Sequence, residues 1–144
     1  MNILSVILLW LLPTIPVEKI VTEFHELNTR ESEAQFMKTY ISSADPSILA
    51  YVYAIEMKQA EYGYNPISKL AIFNKFRKKL DSLIKSNPTN VHLRYVRLVV
   101  QEKTPSILGY KSNIPEDKIF LSQKLKVTDD SDYLDVYILA KTSL

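Results

Sequence analysis

Arg94, Arg97 and Gln101 are the side chains best spaced for shared chemistry. They fall at i, i+3 and i+7, so a helix would place them in one stripe. A guanidinium holds a carboxylate or phosphate through a rigid planar fork of donors. A ligand anion could sit on such a stripe. The same groups could instead serve the chain itself, by pairing with Asp117 or by bonding to loop carbonyls around residues 108–110. The internal role needs no ligand and is the expectation. With Tyr110 and Asp117, these residues make up the candidate binding set.

Other patterns exclude more than they suggest. His25 and His92 lie far apart, and neither has metal-ligand spacing. There is no HExxH, no GxSxG and no phosphate-binding glycine loop. Asp129, Asp130, Asp132 and Asp135 resemble a calcium loop, but the sixth-position glycine and the final glutamate are missing. A turn with Ser131 or Asp132 capping a helix is the expectation there. The chain has no cysteine, so thiolate metal sites, disulfides and cysteine nucleophiles do not arise. No catalytic residue, metal or cofactor is expected. Nine tyrosines could line a groove for a peptide or fill gaps between helices, the commoner use.

Charge is uneven. Residues 66–103 carry nine Lys and Arg against two acids, and residues 17–45 carry three against six. The basic run centres on NKFRKKL at 74–80, with Lys75, Lys78, Lys79 and Lys85 on one outer face. Such a face could meet an anionic ligand or membrane surface. The simpler reading is a solvated face balanced by the acidic first third. Nucleic acid is not expected as a partner.

These residues need elements to hold them, and the elements read as helices. Two glycines in 144 residues leave little for hairpin turns. Ile20, Val21, Phe24 and Leu27 form one helix face, which Ala34, Met37, Ile41 and Ala44 continue after a break near Asn28-Thr29. Residues 47–62 are apolar nearly all round, so a central helix is expected. Ala50 and Ala54 would admit a close neighbour. Gly63 is expected in the left-handed conformation at that helix's end, with Asn65 capping and Pro66 opening the next. Leu70, Phe73, Phe76, Leu80, Leu83 and Ile84 form the buried stripe of residues 67–85.

A turn at Asn87-Pro88 leads to a helix from Asn90 to about Lys103, with Val91, Tyr95, Leu98 and Val99 inward. Residues 106–113 make a loop turning at Gly109. Pro115, Glu116 and Asp117 suit a helix start, with Ile119, Phe120 and Leu125 inward. Leu134, Tyr137, Ile138 and Leu139 mark a last helix. Asp45-Pro46, Asn65-Pro66 and Asn87-Pro88 each close one helix and open another, so the fold expected is all-α. Antiparallel helical hairpins would form a tetratricopeptide-like, short right-handed α-superhelix.

Residues 3–12, ILSVILLWLL, are an uncharged apolar run of signal-peptide length, followed by Pro13 and Pro16. About 15 Å of helix is half a bilayer's hydrocarbon thickness. Residues 1–17 are therefore expected to be a signal peptide or an N-terminal anchor near the membrane, and 18–144 one helical domain. A buried first helix is the alternative.

Two segments carry a resemblance: EYGYNPISKLAIFNKFRKKLDSLI, and HLRYVRLVVQEKTPSILGYKSNIPEDKIFL after it. With the Asn-Pro turns, Arg94, Arg97, Gln101, Pro105, Leu108, Gly109, Tyr110, Asp117 and Lys118, the last two thirds of the chain resemble a family of small exported helical proteins of Bacteroidota. That family is at most tetratricopeptide-like. The resemblance implies the fold and export to the periplasm or cell envelope, and no activity. The expected function is that of a scaffold or binding module for a peptide or protein partner. The alternatives are a binder of anionic ligands or membrane surfaces through residues 69–85, and a small carboxylate-based hydrolase.

Overall fold

A computed structural model describes residues 14–144. The signal or anchor expected over residues 1–17 lies almost wholly outside the described residues. Within them the chain is all-α, with no strand. Seven helices follow in order: α1 (Val17–Glu26), α2 (Arg30–Tyr40), α3 (Pro46–Gln59), α4 (Pro66–Ser86), α5 (Val91–Lys103), α6 (Ile114–Lys124) and α7 (Asp135–Lys141). Short 3-10 turns at Ala60–Tyr62, Ser106–Leu108 and Asp132–Leu134 join some of them. Among the described residues, no helix is long and apolar enough to cross a membrane.

The helix starts follow from their caps. Thr29 and Ser32 bond each other's backbone amides at the head of α2. The Asp45 carboxylate accepts from Ser47 N at 2.8 Å, and the Asn65 side chain accepts from Ile67 N at 2.9 Å, each followed by a proline at the first helical position. Asn90 accepts from His92 N at 3.0 Å, and its amide donates to Ser47 Oγ at 2.8 Å, tying the head of α5 to that of α3.

Gly109 turns the loop at φ +62°, the left-handed region expected for it. Gly63 does not: its φ is −73° with ψ 152°, because α3 tightens into the 3-10 turn at Ala60–Tyr62 and leaves in an extended conformation. The acidic turn also differs from expectation. No side chain caps the Asp132–Leu134 turn or α7. Instead Asp132 accepts from Asp129 N and Asp129 from Ser131 N, both at 2.8 Å, closing the turn on itself.

Two helices form the centre. α3 packs against α1, α2, α4 and α5, and α5 also packs against α6. Ala50, Tyr51 and Val52 of α3 and Leu93, Tyr95 and Leu98 of α5 are fully or almost fully buried. The face of α2 is one register away from the expected one. Glu33, Phe36 and Tyr40 point inward, Met37 is half-buried, and Ala34, Ile41 and Ala44 are exposed. The aromatic rings decide this register, with Phe36 against Phe24 and Tyr40.

On α4, burial starts only at Phe73, so Leu70 is exposed rather than part of the inner stripe. Ile119 and Leu139 are likewise exposed, since α6 and α7 are short and each covers the core with one narrow edge.

Candidate functional site

The arginine stripe lies on α5 as expected, facing the start of α6. Arg97 grips Asp117 bidentately, with Nε to Oδ2 and Nη2 to Oδ1 both at 2.7 Å. Arg94 donates to Asp117 Oδ1 at 3.0 Å, to Glu116, and through Nε to Pro88 O at 3.1 Å. Its guanidinium also lies 5.2 Å from the centre of the Phe120 ring. Asp117 is fully buried at the positive start of α6. Burial opposes the charge on Arg97, but the bonds and field of Asp117 outweigh it and raise the pKa. The bond from Arg94 holds Glu116 below the usual carboxylate range.

Gln101 completes the stripe. Its amide nitrogen donates to Asn113 Oδ1 at 3.1 Å, and its Oε1 is buried with no partner among the described residues. Tyr110 is buried and donates to Asp81 Oδ1 at 2.7 Å; burial first, then the charge of Asp81, pushes its pKa up. The structure thus brings Arg94, Arg97, Gln101, Tyr110 and Asp117 into one buried cluster. The loop carbonyl at Leu108 is met by Arg77, at 3.5 Å, and not by the stripe.

The histidines sit in an aromatic seam. His92 has Tyr51 Oη 2.8 Å from Nδ1 and Tyr133 Oη 2.9 Å from Nε2. A neutral ring donates at one nitrogen and accepts at the other, so both are satisfied without a charge. Burial lowers the pKa of His92 to about 4, against a small opposing effect of Asp45. His25 has Tyr95 Oη 2.8 Å from Nε2 and stacks on Tyr137 with centroids 4.4 Å apart. Its pKa also falls to about 4, through burial and then the charges of Lys141 and Lys103. Five of the nine tyrosines are buried. They serve this seam and the helix interfaces.

A groove of about 630 Å³ opens between α1, α3, α4 and α5, with Lys141 of α7 at one corner. Its floor is apolar: Phe24 of α1 and Leu27 just after it, Ala54 and Ile55 of α3, Phe73 of α4, Val99 of α5. Leu70 stands in the wall contributed by the exposed first turns of α4, and Leu108 in the loop after α5. Ala54 lines this floor, and Ala50 is fully buried. No tyrosine lines the groove.

Ionic groups ring the groove. Glu33 is buried in the wall and paired with Lys58, and it accepts from Gln59 Nε2 at 2.8 Å. Lys69, Lys103 and Lys141 make no ion pair among the described residues. The Thr104 hydroxyl donates to Val100 O at 2.7 Å, an ordinary helix-end bond. Such a surface can hold an apolar segment and orient it by charge. Among the described residues, no group of three His, Asp or Glu could hold a metal ion.

No hydrophobic run in the sequence marked this groove, because its lining comes from six helices and includes residues read as core. The available signal was Leu70, an apolar residue in the first turns of α4 that stays partly exposed. Comparison of the chain with family models, with curated proteins and with solved structures finds no match.

Proposed function

We propose that the chain is an exported binding module whose groove receives an apolar segment of a peptide or protein partner. The groove carries this reading: an open apolar trough about 630 Å³ in volume, with Leu70 partly exposed at its wall. Export to the periplasm or envelope rests on the apolar run at residues 3–12 and on the resemblance stated above. The scaffold is tetratricopeptide-like in this reading. α3 with α4 and α5 with α6 make two hairpins, α3 packs on α5, and their starts lie roughly 45 residues apart, within the range of long helical repeats. The arginine cluster serves this scaffold by fastening α6 to α5. The carboxylate-hydrolase alternative gains no support from the groove, where Glu33 is engaged by Lys58.

The test is co-isolation from the source cells with three forms of the full chain. A partner held in the groove should be recovered with the native chain and with Ile119→Glu, an exposed α6 position outside the groove, and lost with Leu70→Glu. Equal recovery with all three would overturn the groove reading.

A second reading has its own observation. Tyr64 and Ile67 are strongly exposed at the head of α4, and Lys75, Lys78, Lys79 and Lys85 are exposed along it, an arrangement suited to an anionic membrane surface. Salt-sensitive sedimentation with phosphatidylserine vesicles, absent with phosphatidylcholine vesicles, would favour it.

A further inference from the structure

The groove is apolar along its floor and cationic at one end, and that polarity bears on what it holds. Lys103 and Lys141 stand in the last turns of α5 and α7. A cation in a last turn is favoured by the helix dipole. Here two separate helices deliver their lysines to one corner, beside His25. His25 is bonded to Tyr95, stacked on Tyr137, and already feels both lysines. Lys69 adds a third cation on the α4 wall. Lys58 is neutralised by Glu33, and Glu61 is the remaining acid of the lining. Three cations without ion pairs against one acid leave an uncompensated positive field over an apolar floor.

Resting on the binding reading above, we infer that the partner segment is an acidic amphipathic peptide, whose large apolar side chains fill the trough between Leu70 and Phe24 while its Asp or Glu residues meet Lys103 and Lys141. The trough is open to solvent, which suits a chain laid across it, and its cations without an ion pair among the described residues are three: Lys69, Lys103 and Lys141. A fatty acid brings a single carboxylate to these three lysines, whereas a peptide can bring several along its length, so a peptide is the occupant that fits.

The experiment is selection of a random twelve-residue peptide display library on the full chain, followed by titration of the most enriched peptide. The expected outcome has four parts. Enriched sequences combine large apolar residues with Asp or Glu. Binding weakens at least tenfold in Lys103→Glu/Lys141→Glu. It weakens with added salt. The His25 ring signals shift in NMR spectra of the complex. A Lys103→Arg/Lys141→Arg variant should retain binding, and circular dichroism melts would show that both variants fold.

If enriched peptides map to the groove but lack acidic residues, or are indifferent to the charge reversal, the acidic-partner inference fails and the groove reading stands. If no peptide is enriched, or those enriched leave the signals of Phe24, Leu70 and Phe73 unmoved, both fail. Displacement of the peptide by sodium laurate at equal concentration would overturn the choice of a peptide. Self-association of the chain blocked by Leu70→Glu would assign the groove to a second copy and overturn the inference.

Discussion

Asp117 accepts three hydrogen bonds from two arginines while wholly buried, so its charge is what makes their burial tolerable. Removing one member of a buried ionic set leaves the others uncompensated, at about 3–5 kcal/mol. Asp117→Asn should therefore lower the urea-unfolding free energy by about 3 kcal/mol or more, and Arg94→Ala should lower the melting temperature. A change under about 1 kcal/mol for Asp117→Asn would show the cluster to be incidental.

His92 makes the pH prediction. Its pKa is lowered from 6.5 to about 4 by burial, so the unfolded chain binds the proton first as pH falls. Stability is thus fully present above about pH 6.5, declines toward pH 4, and loses on the order of 3 kcal/mol from this group. His25 acts in the same direction. The His92 ring signals should titrate in NMR with a midpoint near 4, and a midpoint near 6.5 would contradict the tyrosine clamp. At this scale the sequence was informative where spacing was short. The stripe of Arg94, Arg97 and Gln101 was legible, and Asp117 was a named partner. The tyrosine–histidine pairs join residues tens of positions apart, and no local pattern announces them.

The glycines and caps separate at the scale of elements. Gly109 sits at φ +62°, with open space where a Cβ would go, so Gly109→Ala costs only its backbone strain, about 1 kcal/mol. Gly63 has an extended φ of −73°, and an added Cβ would touch only Lys69 Cγ at 3.4 Å and Ala60 O at 3.5 Å. Gly63→Ala should stabilise by about 0.4–1 kcal/mol through the unfolded chain. Urea unfolding of the pair should give opposite signs.

The two Asn caps should also differ. Asn65→Ala loses one cap, about 1 kcal/mol, and Asn90→Ala loses a cap and the bond to Ser47, about 2 kcal/mol. Equal costs would mean that the α5–α3 tie contributes nothing. Helix positions were legible because proline and asparagine punctuate the chain. Facing directions were less so. On α2 the small Ala34 satisfied the periodicity equally well, but Phe36 and Tyr40 bury far more area and set the face. On α5 the sequence pattern marks only Val91, Tyr95, Leu98 and Val99 as an inward face, yet nearly the whole helix is buried, with α6 supplying partners to its arginines.

At the scale of the whole molecule, the all-α class followed from composition and punctuation, and the groove did not. Pockets arise from how helices diverge, and α4 is buried only from Phe73 on, leaving Leu70 partly and Ile67 largely exposed. The charge asymmetry read along the sequence also divides differently in space. Arg94 and Arg97 of the basic segment are consumed by Asp117 and Glu116, while Lys69 and Lys103 stay unpaired at the groove and are joined there by Lys141 from the far end of the chain. What remains available to a partner is an apolar trough with a cationic corner. The most direct measurement places a photo-crosslinking amino acid at residue 70 of the full chain in its source cells, with residue 119 as the control. One discrete adduct formed reproducibly from residue 70 and not from residue 119 is the result predicted here. No adduct from residue 70, or the same adducts from both positions, would contradict the assignment of the groove as the binding site.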